Sequence, residues 1–238
     1  MSKFLPRTLI AAGAAAFIAL LPLSAAALSP AGTQTAESQG ALTPDQAMAL
    51  LKEGNDRFVS GKMMDRDLQA QVKATAGGQY PHSVVLACID SRVPPEVVFD
   101  QGIGDIFAPR IAGNFVDGEL LGSMEFAAAV AGSKLIVVLG HTECGAVKGA
   151  CDNVRLGNLS QTLANIAPAV NAVTDVPGER NSKNKAFVDA VAHENVRQTV
   201  SNILDRSFVL KEKVERGQLK VVGAMYDVAT GKVTFLYV

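Results

Sequence analysis

The chain has 238 residues, of which 48% are hydrophobic and 19% charged, a balance typical of one soluble globular domain and not of a disordered protein. Its 22 Lys and Arg against 23 Asp and Glu give a formal net charge of -1, which excludes an extended basic surface and therefore nucleic acid as a partner. Only three cysteines occur, an odd number and too few for a disulfide framework in a chain of this length.

The N-terminal segment has the three parts of a secretory signal peptide. Lys3 and Arg7 precede an apolar run over residues 9–23, and the small residues that follow end at Ala27. We therefore expect residues 1–27 to be cleaved off and the mature protein to be exported, to the periplasm, without stable membrane anchoring. The alternative is a membrane anchor formed by an uncleaved N-terminus. The shortness of the apolar run and the lack of a strongly basic flank after it disfavour that alternative.

The next residues predict a linker followed by one folded domain. Residues 28–42 are poor in bulky apolar groups and rich in Ser, Thr, Gly and Ala, which is typical of a flexible linker. A single domain is then expected over residues 43–238. Its first helix should begin at Thr43, which supplies an N-cap followed by proline, with Gln46 in the capping-box position and Gly61 after the last turn.

Two short apolar runs predict the centre of the fold. Residues 83–88 (SVVLAC) and 134–139 (KLIVVL) are typical of buried strands. Between them, residues 105–109 predict a short strand and residues 117–131 an Ala-rich helix. Because strands alternate with helices, the sequence predicts an α/β fold with a parallel sheet and right-handed crossovers.

The C-terminal half is predicted to be helical first and extended afterwards. The helical stretch covers residues 156–210, with a break near Pro177 and Gly178. Two apolar segments, residues 219–226 and 233–238, then flank a turn and predict a hairpin at a sheet edge. The helical residues expected to face the core are Ala186, Val188, Val191, Val196 and Val200.

A cysteine, a carboxylate and a guanidinium alternate along the chain where the first buried strand ends. In an extended segment, Cys88, Asp90 and Arg92 lie on one face, whereas Ile89 and Ser91 point away. Ligands of open α/β sheets bind at the carboxyl ends of the strands. We therefore expect the three polar side chains to share one pocket.

A second cluster, His141-Thr142-Glu143-Cys144, follows the other buried strand. If this segment opens a helix, the spacing of three residues puts His141 and Cys144 on one side of a turn. With Cys88 they offer two thiolates and one imidazole, a donor set that suits Zn²⁺. Three protein ligands leave a fourth position open, as catalytic zinc sites require.

These two clusters resemble the metal motifs of the beta-class carbonic anhydrases. The segment CIDSR at residues 88–92 is similar to the cysteine-aspartate-arginine motif of that family, and HTECG at residues 141–145 is similar to its second metal motif. The resemblance extends from about Leu51 to the C-terminus. It implies one zinc ion per chain and a mostly parallel sheet with an antiparallel edge, flanked by helices. The implied reaction is the reversible hydration of carbon dioxide to bicarbonate and a proton.

The resemblance also implies roles for side chains around the metal. Asp90 would be the catalytic carboxylate, and Arg92 would hold it in place and ionised. If that contact breaks, Asp90 would take the fourth zinc position and close the site. Gln79 and Phe107 are expected to line the substrate pocket. Phe126 stands where part of the family has an aromatic hydroxyl, so a hydrogen bond open to those relatives is absent here.

A homodimer or a dimer-based oligomer is implied as well. The helix from Thr43 would pack on a neighbouring subunit, and both chains would contribute residues to the pocket. Since two thiolates cancel the formal charge of zinc, activity is expected to rise through mildly alkaline pH.

Three other functions use the same residues. The metal centre could instead hydrolyse a related linear substrate, such as carbonyl sulfide or carbon disulfide, because access to the pocket and not the ligand set would decide between them. The chain could also be a non-catalytic zinc- or bicarbonate-binding protein in which the fourth metal position stays blocked. A thiol redox protein is disfavoured because Cys88 and Cys144 are far apart in sequence and form no C-x-x-C pair.

The remaining cysteine and histidines have simpler interpretations. Cys151 is expected to be a buried or partly buried thiol on the helix after the second cluster. His82 is expected in a loop, with a proton-transfer role as the less favoured alternative, and His193 at a polar or half-buried position of a long helix.

Overall fold

The computed structural model of the chain describes Met1, residues 28–29 and residues 31–236. The signal peptide predicted over residues 1–27 therefore lies outside the described residues, apart from Met1. Across the part that is described, no helix has the length and apolarity needed to cross a membrane. The division into signal peptide, linker and domain stays a prediction.

A mixed sheet forms the centre of the domain, and its strands fall where the apolar runs predict them. The strands run in the order β2-β1-β3-β4-β5 across the sheet. The first four are mutually parallel, and β5 pairs antiparallel with β4. The predicted α/β fold with an antiparallel edge is confirmed, and so is the C-terminal hairpin. The strands are β1 (Ser83–Ala87), β2 (Ile106–Phe107), β3 (Leu135–His141), β4 (Lys220–Tyr226) and β5 (Val233–Leu236).

Both faces of the sheet are covered by helices, which explains why the central strands are continuous apolar runs. Every residue of β1 and β3 is buried, as expected for parallel strands with helices on both sides. The α-helices, in chain order, are α1 (Ala36–Ala41), α2 (Pro44–Val59), α3 (Leu68–Thr75), α4 (Pro95–Val98), α5 (Gly118–Glu125), which a π-helical segment (Phe126–Val130) continues, α6 (Gly145–Cys151), α7 (Leu159–Ala164), α8 (Ala167–Ala172), α9 (Lys185–Arg206) and α10 (Phe208–Glu215).

Alternate residues of the strands pack against different helices. On one face, Ile136 and Val138 of β3 join the apolar cluster of α9, which includes Val191. On the other face, Val137 of β3 packs in a cluster with Leu51 of α2. This alternation follows the two-residue period of a strand.

The long helix α9 confirms most of its predicted core positions. Val188, Val191, Val196 and Val200 are buried. The prediction for Ala186 is wrong, because the neighbouring Phe187 is fully buried there and Ala186 faces outward. A phenyl side chain buries far more apolar area than a methyl group, so the helix turns that side towards the core.

Helix α2 begins as the sequence predicts. The Thr43 side chain accepts a hydrogen bond from the Gln46 backbone N–H, and the Gln46 side-chain oxygen accepts one from the Thr43 backbone N–H, which completes the capping box. Ala47 and Leu51 of this helix are fully buried. The helix packs on the sheet of its own chain through these residues, and its packing on a neighbouring subunit stays a prediction.

Ordered structure begins before Thr43, within the segment that the sequence predicts to be a linker. Thr35 caps α1 through a capping box with Ser38. The buried Gln39 donates hydrogen bonds from its side-chain amide to the carbonyl oxygens of Pro81 at 2.8 Å and Ala131 at 2.7 Å. Small polar residues suggested a linker, but the Gln39 side chain finds its partners in the folded domain, which composition alone does not reveal.

Candidate metal centre

Two neighbouring parallel strands bring the two sequence clusters together at the carboxyl edge of the sheet. Ala87, the last residue of β1, is in register with Leu139 of β3. Cys88 follows β1 directly, and His141 is the last residue of β3. The expectation that both clusters share one edge of the sheet is therefore met by the register of the strands.

The turn that joins His141 to Cys144 differs from the predicted one. His141 still belongs to β3, and Cys144 is the N-cap of α6, so the two residues do not share a helical turn. Between them, Glu143 has a backbone φ of 59°, a left-handed conformation that non-glycine residues rarely adopt. This reversal, and not helical spacing, brings Cys144 back towards His141.

Three potential metal-binding side chains converge in the interior. One ligand atom each of Cys88, His141 and Cys144 lies within 4.8 Å of the others, and the two sulfur atoms are 3.9 Å apart. All three residues are buried. This separation suits three ligands arranged around one ion.

The ring of His141 presents an unused acceptor to this cluster. Its Nδ1 lies 2.8 Å from the carbonyl oxygen of Thr142, which can only accept, so Nδ1 carries the proton. Nε2 is buried and has no hydrogen-bond partner among the described residues. An unsatisfied buried polar atom costs about 1–3 kcal/mol, and a metal ion would remove this cost. The donor set of two sulfurs and one imidazole nitrogen therefore fits a bound zinc ion.

The two thiols share a proton unequally. A hydrogen bond from the Cys144 thiol is the main reason that the pKa of Cys88 lies well below its ordinary value, and the same contact raises the pKa of Cys144. The backbone N–H of Gly113 also points at the Cys88 sulfur, with a nitrogen–sulfur distance of 3.4 Å. Of the two thiols, Cys88 is therefore the one that loses its proton more readily.

Asp90 and Arg92 form a two-point ion pair beside the ligands. The Arg92 Nε and Nη2 atoms donate to the two carboxylate oxygens of Asp90 at 2.9 and 2.7 Å. These hydrogen bonds hold the pKa of Asp90 well below its usual range. Asp90 Oδ2 lies 3.9 Å from His141 Nε2. The carboxylate is therefore ionised and adjacent to the metal-binding atoms.

A small apolar cavity opens next to Cys88 and Asp90. Its volume is about 220 Å³. Ile89, expected to point away from the pocket, is 60% exposed and contributes to its wall. The other residues of the wall are apolar or small. We did not predict them from the sequence, although the small residues on one face of α6 indicate space for a cavity there. These lining residues are Ala112, Gly145, Ala146, Gly149, Leu159 and Leu163.

Two of the expected pocket residues lie elsewhere in the chain. Gln79 is exposed in the loop before β1, at the amino end of that strand. Phe107 is in register with Val84, four residues before Cys88, which corresponds to about 13 Å along an extended strand. Phe107 instead meets Phe126 edge to face, with ring centroids 6.3 Å apart, and lines a separate cavity of about 640 Å³. Within one chain, neither Gln79 nor Phe107 reaches the cavity beside Cys88.

Glycine at position 140 determines how closely the helices approach the metal-binding edge. A Cβ atom there would lie 2.5 Å from Val196 Cγ2 and 2.7 Å from Met225 Sδ. Both distances are too short for carbon and sulfur atoms that are not bonded. The end of β3 can therefore pack this closely against α9 and β4 only because residue 140 has no side chain.

The other cysteine and histidines do not join the cluster. Cys151 is buried at the end of α6, where burial raises the pKa of its thiol to about 11. His82 lies in a loop, as expected, but it is only 1% exposed. Both of its ring nitrogens have hydrogen-bond partners. His193 lies on α9 and is exposed.

Comparison with known proteins points to one family. The family model described as carbonic anhydrase matches residues 83–233. A Mycobacterium tuberculosis protein named carbonic anhydrase 2 is 37% identical over 195 residues, which cover 79% of this chain and 91% of that protein. A Mycolicibacterium smegmatis carbonic anhydrase is 36% identical over 191 residues, covering 80% of this chain and 92% of that protein.

Solved structures give the same result. A Coccomyxa beta-carbonic anhydrase in complex with acetazolamide matches with a TM-score of 0.62 and 27% identity, covering 71% of this chain and 77% of that one. One of two tetrameric beta-carbonic anhydrases from Sordaria macrospora matches with a TM-score of 0.60 and 26% identity, covering 71% of this chain and 91% of that one.

Proposed function

Because the chain belongs to the beta class of the carbonic anhydrase family, we propose that it hydrates carbon dioxide reversibly with one zinc ion per chain, held by Cys88, His141 and Cys144. The observation that carries the proposal is the buried cluster of two sulfurs and an imidazole nitrogen that lacks a partner among the described residues. Zinc bound there would act as a Lewis acid that makes water nucleophilic near neutral pH. The product pair is bicarbonate and a proton.

Asp90 is the proposed catalytic carboxylate. Because it is ionised and lies near His141 Nε2, it can accept a hydrogen bond from the attacking water and aim a lone pair of that water at the carbon of the substrate. Arg92 holds the carboxylate by two hydrogen bonds. Because Arg92 engages both carboxylate oxygens, Asp90 would not act as a fourth metal ligand while this pairing is intact, which supports an open site.

The cavity beside Cys88 suits a small, uncharged substrate. Its wall is almost entirely apolar, with Leu159 and Leu163 on one side. Apolar surroundings do not penalise carbon dioxide, whereas they disfavour the bicarbonate anion, which must leave after the reaction. This difference favours product release, and the same wall would admit carbonyl sulfide or carbon disulfide.

We also propose that the active enzyme is a homodimer or a dimer-based oligomer in which Gln79 and Phe107 serve the pocket of the partner subunit. Phe107 and Phe126 line an apolar cavity away from the metal cluster of their own chain, and Phe126 is 50% exposed. The Sordaria relatives are described as tetrameric. Sedimentation of the purified protein tests this, and a monomer with full turnover would contradict it.

Export to the periplasm with cleavage after Ala27 remains our proposal for the location of the protein. It is supported by the basic, apolar and small-residue parts of residues 1–27. Cell fractionation with N-terminal sequencing of the mature protein tests the cleavage. Recovery of the intact N-terminus in the membrane fraction would support the anchored alternative.

Stopped-flow measurement of carbon dioxide hydration, with the zinc content of the same sample, tests the proposed function. We expect turnover to disappear when a chelator removes the metal and to return when zinc is restored. Carbonyl sulfide and carbon disulfide should be assayed in parallel. A zinc-loaded protein that turns over neither carbon dioxide nor these substrates would be a binding protein, and the proposal would be wrong.

A further inference from the structure

We propose that Arg110 is a positioning residue that fixes the main chain between Cys88 and Asp90, and through it both a metal ligand and the catalytic carboxylate. The inference deepens the proposed function and rests on the metal site described there. It concerns a residue outside both sequence motifs, in the segment after β2.

Arg110 donates hydrogen bonds to two main-chain carbonyl groups of the CIDSR segment, residues 88–92. Its Nε donates to the carbonyl oxygen of Cys88 at 2.9 Å, and its Nη2 donates to that of Asp90 at 2.6 Å. Carbonyl groups two residues apart point the same way in an extended segment, so one planar guanidinium can bind both. The fork therefore fixes the backbone on either side of Ile89.

These hydrogen bonds begin where the pairing of the strands stops. Ala87 forms a parallel bridge with Arg110, in which its N–H donates to Pro109 at 3.0 Å and its carbonyl accepts from Ile111 at 3.1 Å. Beyond Ala87, the segment is no longer part of the sheet. The Arg110 side chain restrains the next three residues, 88–90. These residues carry a metal ligand and the catalytic carboxylate, but they belong to no strand or helix.

The two arginines beside Asp90 then have separate tasks. Arg92 binds the carboxylate of Asp90, whereas Arg110 binds its main chain. Losing Arg92 frees the carboxylate but leaves the position of the Cys88 sulfur unchanged. Losing Arg110 lets Cys88 and Asp90 move together, so metal affinity and turnover should fall in parallel.

Arg180 provides a matched control for a simple structural role. Its guanidinium also binds two carbonyl oxygens, those of Val170 and Val173, but these lie at the end of α8, and none of the three lines the cavity beside Cys88. An arginine that merely ties a loop to the fold would behave alike at both positions. Arg180→Ala should therefore lower thermal stability and leave the metal affinity unchanged.

The experiment compares Arg110→Ala, Arg110→Lys and Arg180→Ala with the unmodified protein. Zinc affinity is measured by chelator competition without substrate, the ligand field by the visible spectrum of the cobalt(II)-loaded protein, and folding by circular dichroism. We expect Arg110→Ala to bind zinc about 10-fold more weakly, the scale of a lost outer-shell partner, with an altered cobalt spectrum. Arg110→Lys should recover part of the affinity, because an ammonium group reaches one carbonyl but lacks the fork.

Each outcome decides the inference independently of catalysis. Folded Arg110→Ala with unchanged zinc affinity and cobalt spectrum would overturn it, as would an equal loss of affinity in Arg180→Ala. If Arg110→Ala does not fold, Arg110→Lys provides the test. Unchanged zinc affinity and an unchanged cobalt spectrum in Arg110→Lys would then overturn the inference. If the metal measurements follow our expectation but the unmodified protein does not hydrate carbon dioxide, the proposed function fails while the role of Arg110 stands.

Discussion

Two buried histidines lie at opposite edges of the same sheet, and their surroundings separate a reactive site from a structural one. His82, at the amino edge, is 1% exposed and has Ser83 Oγ at 2.7 Å from Nδ1 and Gln101 Oε1 at 2.9 Å from Nε2. His141, at the carboxyl edge, is equally buried, but its Nε2 has no partner among the described residues. Burial alone therefore does not identify a functional histidine, whereas an unused ring nitrogen does.

The charged groups of the two edges differ in the same way. At the amino edge, the Asp100 side chain is fully buried and paired with both Arg57 and Arg66. At the carboxyl edge, Asp90 pairs with Arg92 alone and stays partly exposed. At the amino edge, both oxygens of Asp100 are paired, so this carboxylate supports the fold. The carboxyl edge leaves groups available for chemistry.

Exchange of each histidine for glutamine should give the largest difference between the two edges. His141→Gln removes one of three metal ligands, so zinc should be lost and turnover should fall by more than the ~100-fold typical of a lost outer-shell partner. Zinc analysis and stopped-flow assays measure both effects.

His82→Gln is the matched control for that change. It should keep zinc and turnover while lowering the free energy of unfolding by about 1–3 kcal/mol, because it disturbs satisfied buried hydrogen bonds. Loss of zinc from His82→Gln, or full zinc in His141→Gln, would break the distinction between the two edges.

Removing Arg92 tests the carboxyl edge without touching a ligand. Arg92→Ala should lower turnover about 10- to 100-fold and leave the zinc content unchanged, since Asp90 loses the groups that hold it. Arg197 makes a similar two-point pair with Glu194 on the exposed side of α9, so Arg197→Ala should not change turnover. Near-normal turnover of Arg92→Ala would remove Asp90 and Arg92 from the mechanism.

Neutralising Asp100 tests the amino edge. The arginine hydrogen bonds outweigh the burial of the side chain and lower its pKa, so the stability it contributes is present above its unfolded pKa and lost as pH falls through the folded one. Asp100→Asn should lower the free energy of unfolding by about 2 kcal/mol, less than for a fully buried pair because both arginines remain partly exposed.

Urea titration measures the stability of Asp100→Asn, and zinc affinity should stay unchanged in the same variant. Asparagine tolerates the left-handed backbone of residue 100, whose φ is 46°. Backbone strain should therefore not contribute to the measured change in the free energy of unfolding. Weaker zinc binding in Asp100→Asn would show that the two edges are coupled.

The smallest expected effect is the number of protons released when zinc binds. Zinc requires two thiolates, and the pKa of Cys88 is already lowered while that of Cys144 is raised. At neutral pH, we therefore expect about one proton per chain to be released from the sulfurs. The number should rise only as pH falls below the lowered pKa of Cys88. Calorimetry near pH 6, where zinc-bound water would keep its proton, in buffers of different ionisation enthalpy measures it, and release of two protons there would contradict the shared proton.

Most of the sheet and the meeting of the two clusters could be predicted from local sequence signals. The runs at residues 83–88 and 134–139 locate β1 and β3 because parallel strands covered on both sides need apolar residues throughout. Strand ends then indicate where Cys88 and His141 lie. The reason given for pairing His141 with Cys144 was wrong, since a left-handed Glu143 makes the turn and no sequence signal announces it.

What could not be predicted depends on contacts between residues that are distant in sequence. Gln39 finds its partners 42 and 92 residues away, so composition made its helix look like a linker. Arg110 reaches carbonyl groups 22 and 20 residues earlier in the chain, and main-chain acceptors carry no residue-specific signal. Gln79 and Phe107 do not line the cavity beside Cys88 of their own chain, and their contribution to the pocket of a partner subunit stays a prediction.

The missing side chain at position 140 lets neighbouring side chains pack directly on the main chain that leads to His141. Val196 from α9 and Met225 from β4 close on the bare backbone, so the main chain of this strand end has no room to move towards them. Laboratory evolution towards a larger metal or a bulkier substrate should therefore find its first gains at residues 196 and 225, where trimming a neighbour lets the whole strand end shift.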